Sequence, residues 1–320
     1  MLYLLLAILC GSLFSIVFKL CKRHGVDGRQ VTLFNYVIAF FFTLIPIIAR
    51  VTFDPDAAAS DFIPHNAAWP LAAVQGAFFT LGFIAIDHST QRSGVALTTV
   101  CARASLVLPV LLSWMLLSQP APSWLPVLLV VVAMALIIAP TESGAVARPT
   151  VGASSATQRS GLRITEGGSA RHAVMLALLA VFVVNGLSDF FLKVVQSSVE
   201  GSVQDAALMD KRLTALTCII FLMASLASLI VCIFSGSFRK HRVSWGTIGW
   251  GALLGVANIG CTSCMLRALA AMPTGTFYPL YNIGIVLVAT LAGLLFFGER
   301  LKWVQVGGLV LAIAAIALSF

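Results

Sequence analysis

Two charged side chains within long apolar stretches are the residues of this sequence best placed to do chemistry. Arg103 lies among Thr, Cys and Ser, and a guanidinium there suits a carboxylate or a phosphate on a solute. Asp189 is the one carboxylate within the long apolar stretches of the sequence, and it could serve as a proton-coupling site. Each has a structural alternative. Arg103 could extend to the nearer aqueous surface, and Asp189 could form an ion pair with Lys193, one helical turn later.

An aromatic and polar cluster lies in the last third of the chain. Tyr278, Tyr281 and Asn282 have the spacing i, i+3 and i+4, so on a helix they share one face. Pro279 beside them leaves a backbone carbonyl without its usual helical donor, and a substrate could bond to it. The tyrosines could instead form an interfacial belt, whereas Asn282 lies deeper. We therefore expect Asn282 to face a cavity.

Other polar side chains in apolar stretches are candidate substrate ligands, although each could simply bond to a neighbouring helix. They are Asn35, Gln75, Asn185 and Asn258. Lys19 and Lys193 end two similar segments, where they could anchor a helix end or face a cavity. The sequence has neither an HExxH spacing nor a GK[ST] phosphate loop. We therefore expect no enzymatic activity, no cofactor and no metal site.

The elements that must position these residues are membrane helices. The 320 residues are 59% apolar and 10% charged, with a mean hydropathy of +1.00. An ordinary soluble domain is about 25% charged, so this composition excludes a soluble enzyme and a nucleic-acid-binding domain. We predict an all-α integral membrane protein with ten spans, since roughly 17–25 residues cross a bilayer. The predicted spans are Leu2–Phe18, Val31–Ala49, Trp69–Ile86, Gly94–Leu117, Ser123–Ala139, Ala173–Leu192, Leu213–Ser235, Ser244–Leu266, Thr274–Phe297 and Trp303–Phe320.

The net charge of +8 is explained by the orientation of the chain in the bilayer rather than by a nucleic-acid partner. The loops on one side of the predicted spans hold 14 Lys and Arg residues, and those on the other side hold five. Basic loops stay in the cytoplasm. This count places both termini outside the cell and the protein in the plasma (inner) membrane, with the lipid bilayer as its partner.

The chain divides into two similar halves. Residues 1–139 form a first repeat of five spans, residues 140–171 a flexible polar linker, and residues 172–320 a second repeat. Spans three and eight both open with Trp and carry Gly in the same region. An odd number of spans in each repeat inverts the second copy in the membrane. Inverted repeats are typical of alternating-access transporters.

The end of the chain adds a family resemblance. The segment Phe297-Gly-Glu-Arg-Leu-Lys-Trp-Val-Gln-Val-Gly-Gly308 resembles the closing signature of the drug/metabolite transporter superfamily, EamA type. Gly11 to Lys19 is similar to the opening of that family. The first repeat departs from the signature with Ser118-Gln119-Pro120 where the second has Gly-Glu-Arg. The resemblance implies a central cavity shared by both halves, and a small polar substrate. It also implies cytoplasmic termini, whereas the charge count places both termini outside the cell.

These observations together predict a secondary transporter of a small polar metabolite, such as an amino acid or a related compound, acting as an exporter or exchanger. Proton coupling would depend on Asp189. The sequence is compatible with either a monomer or a homodimer. The alternatives are a non-transporting membrane scaffold or lipid-headgroup carrier and, with less support from the scattered acids, a membrane enzyme.

Overall fold

The computed structural model describes residues 2–23, 26–53, 59–62, 68–93, 95–138, 168–200, 205–240, 242–297 and 303–318. Within these ranges all regular structure is helical: twelve α-helices and one short 3₁₀ turn, η1, at Ala59–Phe62. The α-helices are α1 Leu2–Arg23, α2 Gly28–Phe53, α3 Ala68–Ser93, α4 Val95–Ala104, α5 Val107–Leu116, α6 Trp124–Ile138, α7 Gly168–Glu200, α8 Ala206–Phe234, α9 Ser237–Lys240, α10 Trp245–Ala271, α11 Thr274–Phe297 and α12 Trp303–Ala317.

Five helices in the described residues are long and apolar enough to cross a membrane. A helix rises about 1.5 Å per residue, so the shortest, with 19 residues, matches a hydrocarbon core of about 30 Å. The prediction of an all-α protein with helices long and apolar enough to span a membrane is confirmed for the described residues, while the ten spans and the inverted repeats stay predictions. The five segments are Gly28–Phe53, Ala68–Ile86, His172–Val199, Ala207–Phe234 and Trp245–Ala271.

The fourth predicted span, Gly94–Leu117, is not one continuous helix. It is divided into α4 and α5 by a turn at residues 105–106. Pro109 explains the division, because a proline ring clashes with the carbonyl four residues earlier, which here belongs to Ser105. That carbonyl instead accepts a hydrogen bond from the amide of Leu108 at 2.9 Å. The break leaves Arg103 in the last turn of α4.

The predicted linker 140–171 lies mostly outside the described residues, and its last four residues belong to α7. Helix α7 therefore begins earlier than predicted and also runs eight residues beyond Leu192. Helix α8 begins after Asp205, whose side chain accepts a hydrogen bond from the amide of Ala207 at 3.1 Å. Ser244 caps α10 in the same way through the amide of Thr247 at 3.1 Å.

The helices before and after residue 140 interleave. Helix α2 packs against α8 and α10, α3 packs against α7 and α8, and α1 packs against α10 and α11. Helices α4 and α5 contact α7, and α6 lies along α12. Each of these first-half helices therefore buries much of its surface against second-half helices.

Two glycines permit the closest of these helix contacts. A Cβ atom on Gly76 of α3 would lie 2.4 Å from the Ile220 carbonyl oxygen and 2.7 Å from the Met223 Cβ, both on α8. A Cβ atom on Gly251 of α10 would lie 2.5 Å from the Phe34 Cβ on α2. Small residues at such positions let helix backbones approach each other closely in membrane proteins.

Candidate functional site

The three residues predicted to share a face of α11 are buried together. Tyr278 is fully buried, and Tyr281 and Asn282 are 8% and 4% exposed. The Tyr278 hydroxyl donates a hydrogen bond to the backbone carbonyl of Asp189, which joins α11 to α7. The tyrosines thus pack inside the helix bundle rather than on its outer surface.

Arg103 extends toward α11. Its guanidinium donates a hydrogen bond to Asn282 Oδ1 at 3.1 Å, and the Asn282 amide nitrogen donates to the Tyr278 carbonyl at 3.0 Å. Pro279 affects the carbonyl four residues before it, not that of Tyr278. The Tyr278 carbonyl is therefore free to accept the hydrogen bond from the Asn282 side chain one turn later. Arg103 is half-buried. The structure therefore places the guanidinium inside the protein, not along the nearer surface.

Asp189 completes this cluster from α7. The Arg103 guanidinium lies near enough for its charge to act on the Asp189 carboxylate. Asp189 is partly exposed although its neighbours Phe190 and Ser188 are buried. The two charged residues of the predicted spans, which are 86 positions apart in the chain, are thus brought together by α4 and α7. We call Arg103, Asp189, Tyr278, Tyr281 and Asn282 the central cluster.

Lys193 has a different environment from the one its spacing predicted. In the described residues it forms no ion pair with Asp189. Its ammonium donates to Gln196 Oε1 at 2.5 Å and to the Leu269 carbonyl on α10 at 3.0 Å, and the side chain is 2% exposed. Lys193 therefore links α7 to α10. Lys19 belongs to α1, but its side chain lies outside the described part of the structure.

The four candidate amides lie outside the central cluster's hydrogen bonds. Asn258 donates to Asn35 at 3.2 Å, between α10 and α2, and Asn185 donates to the Val181 carbonyl within α7. Gln75 donates to Ser188 at 3.2 Å, between α3 and α7. Gln75 is fully buried, and its Oε1 atom has no hydrogen-bond partner. That oxygen is an acceptor that a bound solute could use.

Cys261 is a member of the site that sequence reasoning missed. Its thiol lies 3.2 Å from the Tyr281 hydroxyl and 3.7 Å from the Ala7 carbonyl, so it connects α10 to α11 and α1. Cys261 is 5% exposed. Cys261 and Cys264 have a C-x-x-C spacing, but the contacts of Cys261 are those of a packed side chain, as is usual for a buried cysteine.

Comparison with known proteins shows the fold but no family. No family model matches the chain. A Haemophilus influenzae protein, named only as uncharacterized, is 24% identical over 319 residues, which cover 98% of this chain and 95% of that protein. A chain of known crystal structure superposes with a TM-score of 0.69 at 12% identity, over 99% of this chain and 95% of its own. The chain therefore has, over almost its whole length, a fold that another protein of known structure also has.

Proposed function

We propose that this protein is a secondary transporter that carries a small polar metabolite across the plasma (inner) membrane by alternating access, as an exporter or an exchanger. The central cluster is the observation that carries the proposal. It places a cation, a carboxylate, an amide and two phenols between helices of both halves of an apolar protein. Polar groups in such positions are costly and usually line a solute pathway.

The chemistry of the cluster favours a solute with an anionic group. A guanidinium offers a planar set of donors to a carboxylate or phosphate. In the structure one of these donors is bonded to Asn282, and a bound carboxylate would compete with that amide. Asp189 offers a matching site for a proton or for an amino group of the solute. An amino acid or a related compound has both groups.

The packing of the helices supports two inverted repeats, residues 1–139 and 172–320. Gly76 contacts α8 at Ile220, Met223 and Ala224, which have the spacing i, i+3 and i+4. Gly251 contacts α2 at three residues with the same spacing, and the three atoms are of the same kinds: a carbonyl oxygen, a Cβ atom and an amide nitrogen. Two copies of one unit related by a two-fold axis would produce this equivalence. We therefore propose membership of the EamA-type drug/metabolite transporters.

Ion pairs at one end of the bundle provide contacts that alternating access would break. Lys211 on α8 binds Asp61 of η1 at 2.8 Å, and the Arg267 Nε on α10 binds Asp210 on α8 at 2.7 Å. These pairs hold the start of α8 against the end of α10 and against η1. Opening of the protein at this end requires their separation, as in other transitions between packed states.

The substrate proposal is tested with purified protein and a panel of amino acids, sugars and nucleotides. We expect one class of water-soluble compound to raise the unfolding temperature and to exchange across proteoliposomes that contain the protein. Arg103→Gln should lose this response, whereas Arg239→Gln, which removes an exposed cation on α9, should keep it. A stabilising lipid headgroup without any hydrophilic hit would favour the lipid-headgroup carrier. No response from any compound would favour the scaffold.

Proton coupling is tested separately at Asp189. We expect Asp189→Asn to abolish uptake driven by a pH gradient while exchange of substrate without a gradient continues. Asp205→Asn is the matched control, because Asp205 is an exposed carboxylate at the start of α8. Uptake that Asp189→Asn leaves unchanged would remove Asp189 as the coupling site.

The orientation in the bilayer is also a proposal. The charge count places both termini outside the cell, whereas the family resemblance implies cytoplasmic termini. A reporter fused after Phe320 that is active only in the cytoplasm decides between them. The charge count predicts that such a fusion is silent. The monomer and the homodimer are distinguished by the mass of the purified protein in detergent.

A further inference from the structure

A cavity of about 420 Å³ opens at the end of the bundle where α2 begins and where α3 and α8 finish. Its volume is in the range of ligand pockets, about 300–1,000 Å³. It lies apart from the central cluster, with which it shares no residue. The lining residues are Arg29, Thr32, Thr80, Phe83, Ile84, His88, Ser228, Val231, Phe234 and Ser235.

The polar part of the lining is basic. Among the described lining residues, Arg29 and His88 are the basic side chains and none is acidic. The backbone of Arg29 is held in place from both sides, because its amide donates to Asp27 Oδ1 at 3.0 Å and its carbonyl accepts from the Cys232 thiol at 3.5 Å. This fixes the point at which the guanidinium leaves α2.

Hydroxyl groups line the deeper part of the cavity. Thr32, Thr80 and Ser228 are each less than 5% exposed. Thr80 and Ser228 are 3.1 Å apart, which links α3 to α8. Tyr36, one helical turn after Thr32, stacks on Phe79, the neighbour of Thr80, with ring centroids 6.3 Å apart.

The mouth of the cavity is apolar on its outer side. Phe234 is 87% exposed and Ile84 is 37% exposed. Both lie in segments with the length and hydropathy of membrane spans. In a bilayer these two side chains meet lipid rather than water. The cavity therefore joins a basic, hydroxyl-lined interior to an exposed apolar rim.

The surrounding surface at the same end is also cationic. Arg239, Lys240 and Arg242 are exposed on and just after α9. The Ser237 hydroxyl and carbonyl bond to Asp27 and Gln30 at the start of α2, which holds α9 beside the cavity. Basic pockets between membrane helices on the cytoplasmic side bind the headgroups of anionic lipids.

We infer that this cavity binds an anionic phospholipid, with the headgroup phosphate on Arg29 and His88 and an acyl chain against Ile84, Val231 and Phe234. The Thr32 and Thr80 hydroxyls donate to the Gly28 and Ala224 carbonyls, at 2.9 Å and 3.1 Å, so their oxygens give the cavity a polar wall while the two basic side chains bind the phosphate. This assignment is independent of the proposed transport function, because the central cluster takes no part in it.

The test uses the full-length protein in detergent, titrated with dioctanoyl phosphatidylglycerol while the unfolding temperature is followed. Dioctanoyl phosphatidylcholine, glycerol phosphate and inorganic phosphate are titrated in parallel. We expect the anionic lipid alone to raise the unfolding temperature. A shift of the same size with either free phosphate compound would show a site for small anions, and an equal shift with phosphatidylcholine would show an unselective detergent effect. Either result overturns the assignment.

Variants locate the binding in the cavity. We expect Arg29→Gln to weaken the apparent affinity for the anionic lipid about fivefold. Arg239→Gln removes a cation from the same end of the bundle outside the cavity, and it should weaken the affinity less than Arg29→Gln does. His88→Gln changes an exposed position and provides a second lining variant if Arg29→Gln is poorly folded. Equal affinities in the lining variants and in Arg239→Gln would refute the assignment.

Discussion

Replacement of a glycine by alanine should have opposite effects at two neighbouring sites of α10. Gly251 lies against α2, where a Cβ atom would approach the Phe34 Cβ to 2.5 Å. Gly249, half a turn away on the same helix, has nothing within 4 Å of such an atom. The same chemical change therefore meets a packed helix at one position and open space at the other.

The magnitude follows from two terms. An alanine in a helix is favoured over glycine by up to about 1 kcal/mol, and this gain applies at both sites. Overpacking a close contact costs about 1–3 kcal/mol, and it applies only to Gly251. The two variants should therefore differ by about 1–3 kcal/mol in the free energy of unfolding. At roughly 2 °C per kcal/mol for a chain of this size, the unfolding temperatures should differ by about 2–6 °C.

Gly76 provides an independent repeat of the experiment on α3. The atoms that a Cβ would meet there include the Ile220 carbonyl oxygen at 2.4 Å and the Ala224 amide nitrogen at 2.9 Å. Backbone atoms inside a helix cannot move aside as a flexible side chain can. We therefore expect Gly76→Ala to be at least as destabilising as Gly251→Ala.

The assay is thermal unfolding of purified protein in one detergent, followed by the reactivity of buried cysteines, of which Cys218 and Cys261 are examples. Unfolding temperatures of Gly76→Ala and Gly251→Ala that equal or exceed that of Gly249→Ala would refute the close approach of these helices.

Three further predictions concern contacts between helices. Lys193→Met should destabilise the protein by about 1–3 kcal/mol in thermal unfolding, because the Leu269 carbonyl then loses a buried donor. Arg267→Gln should cost only about 0–1 kcal/mol, with a smaller effect in high salt, because Asp210 and Arg267 are 42% and 22% exposed. Asn258→Leu should cost about 0.6–2 kcal/mol by removing the hydrogen bond to α2, and a double-mutant cycle with the asparagine on α2 should show that the two changes are not additive.

The faces of single helices were predictable from the sequence. The spacing of Tyr278, Tyr281 and Asn282 predicted a common face, and these three residues lie buried together in α11. Local hydrogen bonding and side-chain periodicity operate within one or two helical turns, so the sequence contains the information needed. The turn between α4 and α5 was also within reach, because Pro109 alone supplies its cause.

Partners far apart in the chain were not predictable in the same way. Asn282 is 179 positions from Arg103, and nothing in either local segment specifies the other. Lys193 illustrates the opposite error: its spacing from Asp189 favoured an ion pair within α7, whereas a carbonyl on α10 and a nearer amide take the ammonium. A buried side chain bonds to what tertiary packing brings close, and helical spacing is only one source of such neighbours.

The interleaving of the two halves has a consequence for synthesis of the chain. Helix α3 leaves the ribosome well before α8, since 141 residues separate Ser93 from Phe234. At about 5–20 residues per second, the chain needs roughly 7–28 s to supply that partner. During this interval the face of α3 that carries Gly76 has lipid, a chaperone or the insertion machinery as its neighbour. Assembly of the bundle is therefore mainly post-insertional, and the two halves made as separate chains should find each other in the membrane.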